Sequence, residues 1–212
     1  MKNITCALFD MDGVMIDTEP QYSVFWKQTG EKYKVGIANF ETLIKGTTMP
    51  NILKKYFAHI PNRKINELIT DHDRFEEHMS FPEIPGSIAF VQALKEQGIK
   101  VGLVTSSSDT KMDAVNKVRQ FDKLFDTIVT ASRVKIGKPN PECYLMAAKE
   151  IGIDPANCIV FEDSFAGLEA GNAAGMTTIG VATTHPANTL SGKCDKVINN
   201  FAGITWKDII AD

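Results

Sequence analysis

The segment 4–9, Ile-Thr-Cys-Ala-Leu-Phe, constrains the fold more than any other stretch of the chain. Its apolar and β-branched residues follow one another without a helical period, which predicts a strand buried on both faces. Strands of that kind belong to sheets that are covered by helices on both sides. The pattern stops at Asp10 and Asp12. In open α/β sheets ligands bind beyond the carboxyl ends of the strands, so the two carboxylates stand where chemistry is usually done.

Asp10 and Asp12 leave the strand on the same side, because successive side chains of a strand alternate between its faces. Two like charges this close repel each other unless a cation, a shared proton or a division of roles offsets the repulsion. A plain acidic turn is the alternative, since Asp and Gly are common turn residues. The remaining sequence has to separate the two interpretations.

From residue 99 onwards, strand and helix patterns alternate regularly. This alternation predicts a doubly wound, mostly parallel sheet, and therefore an α/β, Rossmann-like core. The predicted strands are 100–105, 127–130, 158–161, 177–181 and 196–198, and the predicted helices between them are 109–119, 141–151 and 165–174.

The first two strands are about ninety residues apart, whereas a strand-helix-strand unit takes ~30 residues. Only helical patterns occupy the intervening region. We therefore predict that residues 17–82 form an inserted α-helical cap domain, and that residues 1–16 and 83–212 form the α/β core.

Composition narrows the class of partner. A net charge of −3 without a run of basic residues gives no reason to expect binding to nucleic acid. No stretch approaches the roughly 18 apolar residues of a membrane span, and no signal-peptide pattern begins the chain. The four cysteines are widely spaced, which favours buried thiols over zinc ligands. We expect a cytoplasmic monomer that acts on a small molecule.

Polar residues follow two further predicted strands, and a lysine stands in a proline-flanked loop. Thr105 and Ser106 precede a helix and could bind an anion or simply cap the helix. Pro139 restricts the direction of Lys138, which would offset carboxylate repulsion. Glu162 and Asp163 form a second acidic strand end whose oxygens suit Mg²⁺, with helix capping as the alternative.

These four motifs, in this order, resemble those of the haloacid dehalogenase superfamily, and the match extends over essentially the whole chain. Within it, the chain most resembles the branch of β-phosphoglucomutase and small sugar-phosphate phosphatases. The motifs are Phe9-Asp10-Met11-Asp12-Gly13-Val14, Thr105-Ser106, Gly137-Lys138-Pro139 and Glu162-Asp163.

The resemblance implies a role for each motif. Asp10 would attack phosphorus and form an aspartyl-phosphate. Asp12 would protonate the leaving oxygen and then activate water, and its backbone carbonyl would bind the metal. An enzyme that hydrolyses a phosphoric monoester is therefore expected.

The other motifs would bind the transferring group and its metal. Thr105, the N–H group of Ser106 and Lys138 would hold phosphoryl oxygens. Asp163, assisted by Glu162, would complete a Mg²⁺ site together with the two aspartates of the first strand.

Substrate choice is expected to lie in the cap, at Tyr22 and at the loop Lys45, Gly46 and Thr47. The resemblance places Tyr22 where β-phosphoglucomutase has a histidine, and Met49 where that enzyme has an arginine. Neither residue here can do that work, so a phosphatase is expected and a phosphomutase is the alternative. A non-enzymatic, receiver-like phosphoacceptor is a further alternative, although it explains neither Asp12 nor the insertion.

A histidine and acidic cluster on a predicted cap helix could suggest a second metal site. We expect a solvated helix face there instead. The cluster comprises His72, Asp73, Glu76, Glu77 and His78.

Overall fold

The computed structural model describes residues 3–44 and 48–211. The described residues form two compact units. One comprises the chain up to Asp17 and from Phe81 onwards, and the other comprises Thr18–Ser80.

The first unit contains a sheet of six parallel strands, in the order β3-β2-β1-β4-β5-β6. This topology confirms the predicted doubly wound α/β fold. The strands are β1 (Cys6–Phe9), β2 (Lys100–Val104), β3 (Thr127–Val129), β4 (Cys158–Glu162), β5 (Thr177–Val181) and β6 (Lys196–Ile198).

The unit Thr18–Ser80 is helical in its described part. Its core contains the buried aromatic residues Trp26, Phe40 and Phe57 together with aliphatic residues such as Leu68. The helices are α1 (Glu19–Lys32), α2 (Phe40–Leu43), α3 (Met49–Tyr56) and α4 (Asn62–His78).

Seven helices accompany the sheet within its unit, and the chain also makes short 3₁₀ turns at Ala131–Arg133 and Pro155–Asn157. None of the helices in the described ranges is both long and apolar enough to cross a bilayer. The helices are α5 (Ser87–Glu96), α6 (Asp109–Arg119), α7 (Phe121–Leu124), α8 (Glu142–Ile151), α9 (Phe165–Ala173), α10 (Ala187–Leu190) and α11 (Trp206–Ile210).

Strand β1 is buried on both faces, as its sequence predicts. On one face Phe9 stacks against Phe161 of β4, with ring centroids 4.7 Å apart. On the other face Cys6 and Leu8 belong to the cluster that α8 covers through Tyr144. Alternate residues of β1 thus fill two separate layers, and this fixes which way the residue after the strand points.

The register brings the ends of β1, β2 and β4 to one edge. Phe9 lies opposite Leu103 of β2 and opposite Phe161 of β4. Because these strands are parallel, the residues that follow them, from Asp10 on β1 and Thr105 on β2, emerge side by side. Predicted site residues that are far apart in sequence therefore share one edge of the sheet.

Candidate active site

Asp10 continues the ladder of β1 by one residue. Its backbone N–H donates to the carbonyl of Phe161 at 3.0 Å, which holds the start of the side chain in register with β4. The residue is buried. Its carboxylate is therefore fixed at the sheet edge with little access to water.

Lys138 reaches the same edge from the loop before α8. Its ammonium donates to Asp10 Oδ1 and Glu162 Oε1, both at 2.5 Å, and to the carbonyl of Val104 at 3.1 Å. All three ammonium protons therefore have acceptors. Lys138 thus lies between Asp10 and Glu162, near the acidic strand ends, as the sequence predicts.

Glu162, the last residue of β4, has no exposed surface. Its Oε1 accepts from Lys138 and, at 2.7 Å, from the hydroxyl of Tyr144. Its Oε2 accepts from the backbone N–H and the hydroxyl of Ser164. Four donors thus saturate this carboxylate.

Helix α9 can approach Glu162 only because residue 167 is glycine. A Cβ at Gly167 would lie 1.8 Å from the Glu162 carboxylate. Ser164 precedes the helix and caps it, since its hydroxyl accepts from the Gly167 N–H. One residue therefore caps the helix and binds the buried acid, so capping and site support coexist.

One cation serves two buried carboxylates, and this imbalance sets their proton affinity. Burial, and then the charges of Glu162 and Asp12, raise the pKa of Asp10 to about 7, although Lys138 opposes the change. Burial disfavours the charged form of Lys138, but Asp10 and Glu162 outweigh it and raise the pKa of Lys138. The edge therefore carries excess negative charge that a proton or a metal cation would neutralise.

Ser107 and Lys111 bind the Asp12 carboxylate, and neither contact was predicted from the sequence. Lys111 Nζ lies 2.6 Å from Asp12 Oδ1, and the Ser107 hydroxyl donates to Oδ2 at 2.8 Å. Lys111 is only 1% exposed. A lysine in the first turn of a helix, as here in α6, opposes the helix dipole. That local conflict is the sequence signal by which Lys111 could have been found.

Thr105 follows β2 directly and is buried. Its N–H donates to the Val129 carbonyl at 2.9 Å, and its hydroxyl accepts from the Ser107 N–H at 3.0 Å. Thr105 thus lies at the sheet edge that holds Asp10, whereas Ser106, the next residue, is exposed to solvent.

Three carboxylates form a cluster suited to a metal ion. One oxygen from each of Asp10, Glu162 and Asp163 lies within 4.8 Å of the others. Residue 13 must be glycine beside them, since it has a φ of +78° and a Cβ there would lie 2.0 Å from Asp163 Oδ2. Hard carboxylate oxygens in this number suit Mg²⁺. The Asp12 side chain is bound to Lys111, and the contribution of the Asp12 backbone carbonyl to a metal site stays a prediction.

In the unit Thr18–Ser80, the Tyr22 hydroxyl donates to Glu76 Oε1 at 2.5 Å. The predicted substrate-binding residues Lys45, Gly46 and Thr47 lie outside the described residues. The role of Tyr22 in binding substrate stays a prediction.

The expectation of a solvated face over residues 72–78 is wrong for two residues. Glu76 is only 6% exposed, and the ring of His72 packs against that of Tyr22. The aromatic face of α1 covers them, a tertiary contact that the α4 sequence does not reveal. Asp73 faces His72 Nδ1 while Glu76 faces Nε2. One ligand atom from each of His72, Asp73 and Glu76 nevertheless lies within 4.8 Å of the others, so this group also has the spacing of a metal site.

The sequence model of one family, described as haloacid dehalogenase-like hydrolase, matches residues 7–181. Hexitol phosphatase A from Escherichia coli is 31% identical over 93% of this chain and 92% of its own. A phosphorylated carbohydrates phosphatase from Thermotoga maritima is 32% identical over 82% of each chain. The crystal structure of β-phosphoglucomutase from Clostridium difficile matches with a TM-score of 0.78 at 26% identity, over 97% of this chain and 95% of the other.

Proposed function

We infer that this chain, which belongs to the haloacid dehalogenase-like hydrolase family, is a Mg²⁺-dependent phosphatase of a small phosphorylated metabolite. The observation that carries the proposal is Lys138, which bridges Asp10 and Glu162 beside Asp163. A buried carboxylate that a lysine orients at a strand end is a suitable nucleophile. The receiver-like alternative is set aside because the family is one of hydrolases.

In the first step, an Asp10 oxygen attacks phosphorus while the bond from phosphorus to the ester oxygen breaks. The departing alcohol takes a proton from Asp12. In the second step, water attacks phosphorus and gives a proton to Asp12, while the bond from phosphorus to the Asp10 oxygen breaks. Phosphate leaves, and both aspartates return to their starting states.

Ser107 and Lys111 would act through Asp12. Their bonds to its two oxygens fix the carboxylate in one orientation. A general acid and base must lie within hydrogen-bond reach of the atoms that it serves. We therefore assign Ser107 and Lys111 as positioning residues for Asp12.

Thr105, the N–H group of Ser106 and Lys138 would bind the phosphoryl oxygens as negative charge moves onto them. Asp10 and Asp163 would hold Mg²⁺ with the Asp12 carbonyl. Glu162, whose oxygens already accept from four donors, would hold Lys138 in place and would not bind the ion directly. When bound, the ion supplies positive charge that screens the attack of an anion on an anionic phosphate.

The substrate class proposed is a sugar or sugar-alcohol phosphate, by analogy with the two curated relatives. Hydrolysis is favoured over mutase chemistry, since Tyr22 is bonded to Glu76 and Met49 has no charge. A charged hydrogen bond of the kind that a mutase would need at Met49 is worth about 1.5 to 3 kcal/mol. The likeness to the Clostridium difficile enzyme keeps phosphomutase as the second candidate. We keep the expectation of a cytoplasmic monomer. The free, buried thiols of Cys6 and Cys158 suit a reducing compartment.

The test is phosphate release with Mg²⁺ across sugar phosphates, nucleotides and pyrophosphate, beside conversion of β-glucose 1-phosphate to glucose 6-phosphate. We expect release from a sugar phosphate that Asp10→Asn abolishes. Efficient conversion with little release would instead establish the mutase. Release that persists in Asp10→Asn would contradict the proposed nucleophile.

A further inference from the structure

The loop that follows β5 is tied to the loop that follows β1. The backbone N–H of Ala182 donates to the Ile198 carbonyl at 2.8 Å, which anchors the start of the loop to β6. The next residue, Thr183, donates its hydroxyl to the carbonyl of Gly13. Thr184 is thereby placed next to the glycine that makes room for Asp163.

The hydroxyl oxygen of Thr184 is buried, and it has no hydrogen-bond partner among residues 3–44 and 48–211. A Cβ built on Gly13 would lie 3.0 Å from this oxygen and 2.0 Å from Asp163 Oδ2. The two oxygens are therefore at most 5.0 Å apart. Buried polar groups are almost always bonded, so an exception at this place calls for a physical cause.

We propose that Thr184 is a positioning residue of the metal site, where its hydroxyl accepts a hydrogen bond from a metal-bound water next to Asp163. The inference rests on the proposed function, because it concerns the Mg²⁺ of that site. Mg²⁺ gives up its water reluctantly and keeps several water molecules in protein sites. Two oxygens at this separation without a direct bond suit a bridging water.

Outer-shell partners of this kind orient what binds the metal, and their loss typically weakens metal binding 10- to 100-fold. For a single water contact we expect the lower end of that range, about tenfold. Neighbouring Thr183 provides the contrast, because its hydroxyl already has a protein acceptor. The two adjacent threonines should therefore respond in opposite ways to the same change.

The experiment compares Thr184→Val, Thr184→Ser and Thr183→Val in two measurements. The first is thermal unfolding of the metal-free protein in chelator. The second is Mg²⁺ binding by isothermal titration calorimetry at one pH. Valine has nearly the shape of threonine, so each of the two valine substitutions removes the hydroxyl with little change in packing.

We expect metal-free Thr184→Val to melt at or above the wild-type temperature, because it loses no protein bond, and to bind Mg²⁺ about tenfold more weakly. Thr184→Ser keeps the hydroxyl and should bind Mg²⁺ within about twofold of wild type. Thr183→Val should melt lower than wild type in chelator, because it removes a bond that exists.

Unchanged Mg²⁺ affinity in Thr184→Val would overturn the inference, as would a lower melting temperature of that variant in chelator. A wild-type protein that binds no Mg²⁺ would overturn the proposed metal-dependent function itself. The two failures can be told apart. If only the inference about Thr184 fails, the wild-type protein still binds Mg²⁺ and Thr184→Val binds it equally well.

Discussion

The buried carboxylate of Asp10 makes the stability of the metal-free protein depend on pH. Its pKa rises from 3.8 to about 7 on folding, chiefly through burial. The folded state therefore holds this proton more tightly than the unfolded chain does. The stabilising contribution is full below pH 3.8 and is lost as the pH rises through about 7.

The size of the effect follows from the same two values. One pKa unit corresponds to about 1.4 kcal/mol, so the complete change amounts to about 4 kcal/mol. Most of it falls within an accessible range. Between pH 5 and pH 8, linkage gives a loss of about 2 to 3 kcal/mol in the free energy of unfolding from Asp10 alone.

Urea unfolding in chelator at pH 5 and pH 8 measures this loss, and Asp10→Asn is the matched control. Asparagine has the shape of aspartate but does not titrate, while every other titrating residue is shared by the two proteins. The variant should lose about 2 to 3 kcal/mol less than wild type over the interval. Losses that are equal in the two proteins, within about 0.5 kcal/mol, would show that Asp10 does not cause the pH dependence of stability.

Two further substitutions test the supports of the site. Lys111→Met removes the cation that pairs with the Asp12 carboxylate. We expect kcat to fall at least tenfold and the free energy of unfolding to fall by about 1 to 3 kcal/mol, as steady-state kinetics and urea unfolding would show. An unchanged kcat would contradict a positioning role for Lys111. Gly167→Ala places a Cβ 1.8 Å from the Glu162 carboxylate and should lower the free energy of unfolding by about 1 to 3 kcal/mol. The control is Gly137→Ala, whose Cβ would have no atom within 4 Å and which should change this free energy by less than about 0.5 kcal/mol. Equal effects of the two substitutions in urea unfolding would contradict the close packing of α9 on Glu162.

Much of the fold was accessible from the sequence because its elements have clear periods. The predicted helix 109–119 coincides with α6 (Asp109–Arg119), and the strand 177–181 coincides with β5 (Thr177–Val181). Helices α7 and α10 were not predicted, since four residues are too few to show a helical period. Element length, more than composition, decided which helices could be predicted.

The sequence predicts only those parts of the site that lie at or near the ends of the strands. Polar residues after buried strands predicted that Asp10 and Glu162 lie together, and the proline-flanked loop predicted that Lys138 lies near them. The contact of Lys111 with Asp12 joins residues 99 positions apart. The lysine in the first turn of α6 is a local signal for Lys111 itself, but it does not indicate which residue is its partner. The buried Thr184 hydroxyl was missed for a similar reason, since its surroundings come from two loops that only the sheet brings together.

Mass spectrometry can detect the aspartyl-phosphate in protein that is quenched in acid during turnover of its best sugar phosphate with Mg²⁺. We expect one added phosphoryl group, located on the peptide that contains Asp10 and absent in Asp10→Asn. Turnover without a phosphorylated peptide, or phosphorylation at another residue that persists in Asp10→Asn, would contradict the role of Asp10 as the nucleophile.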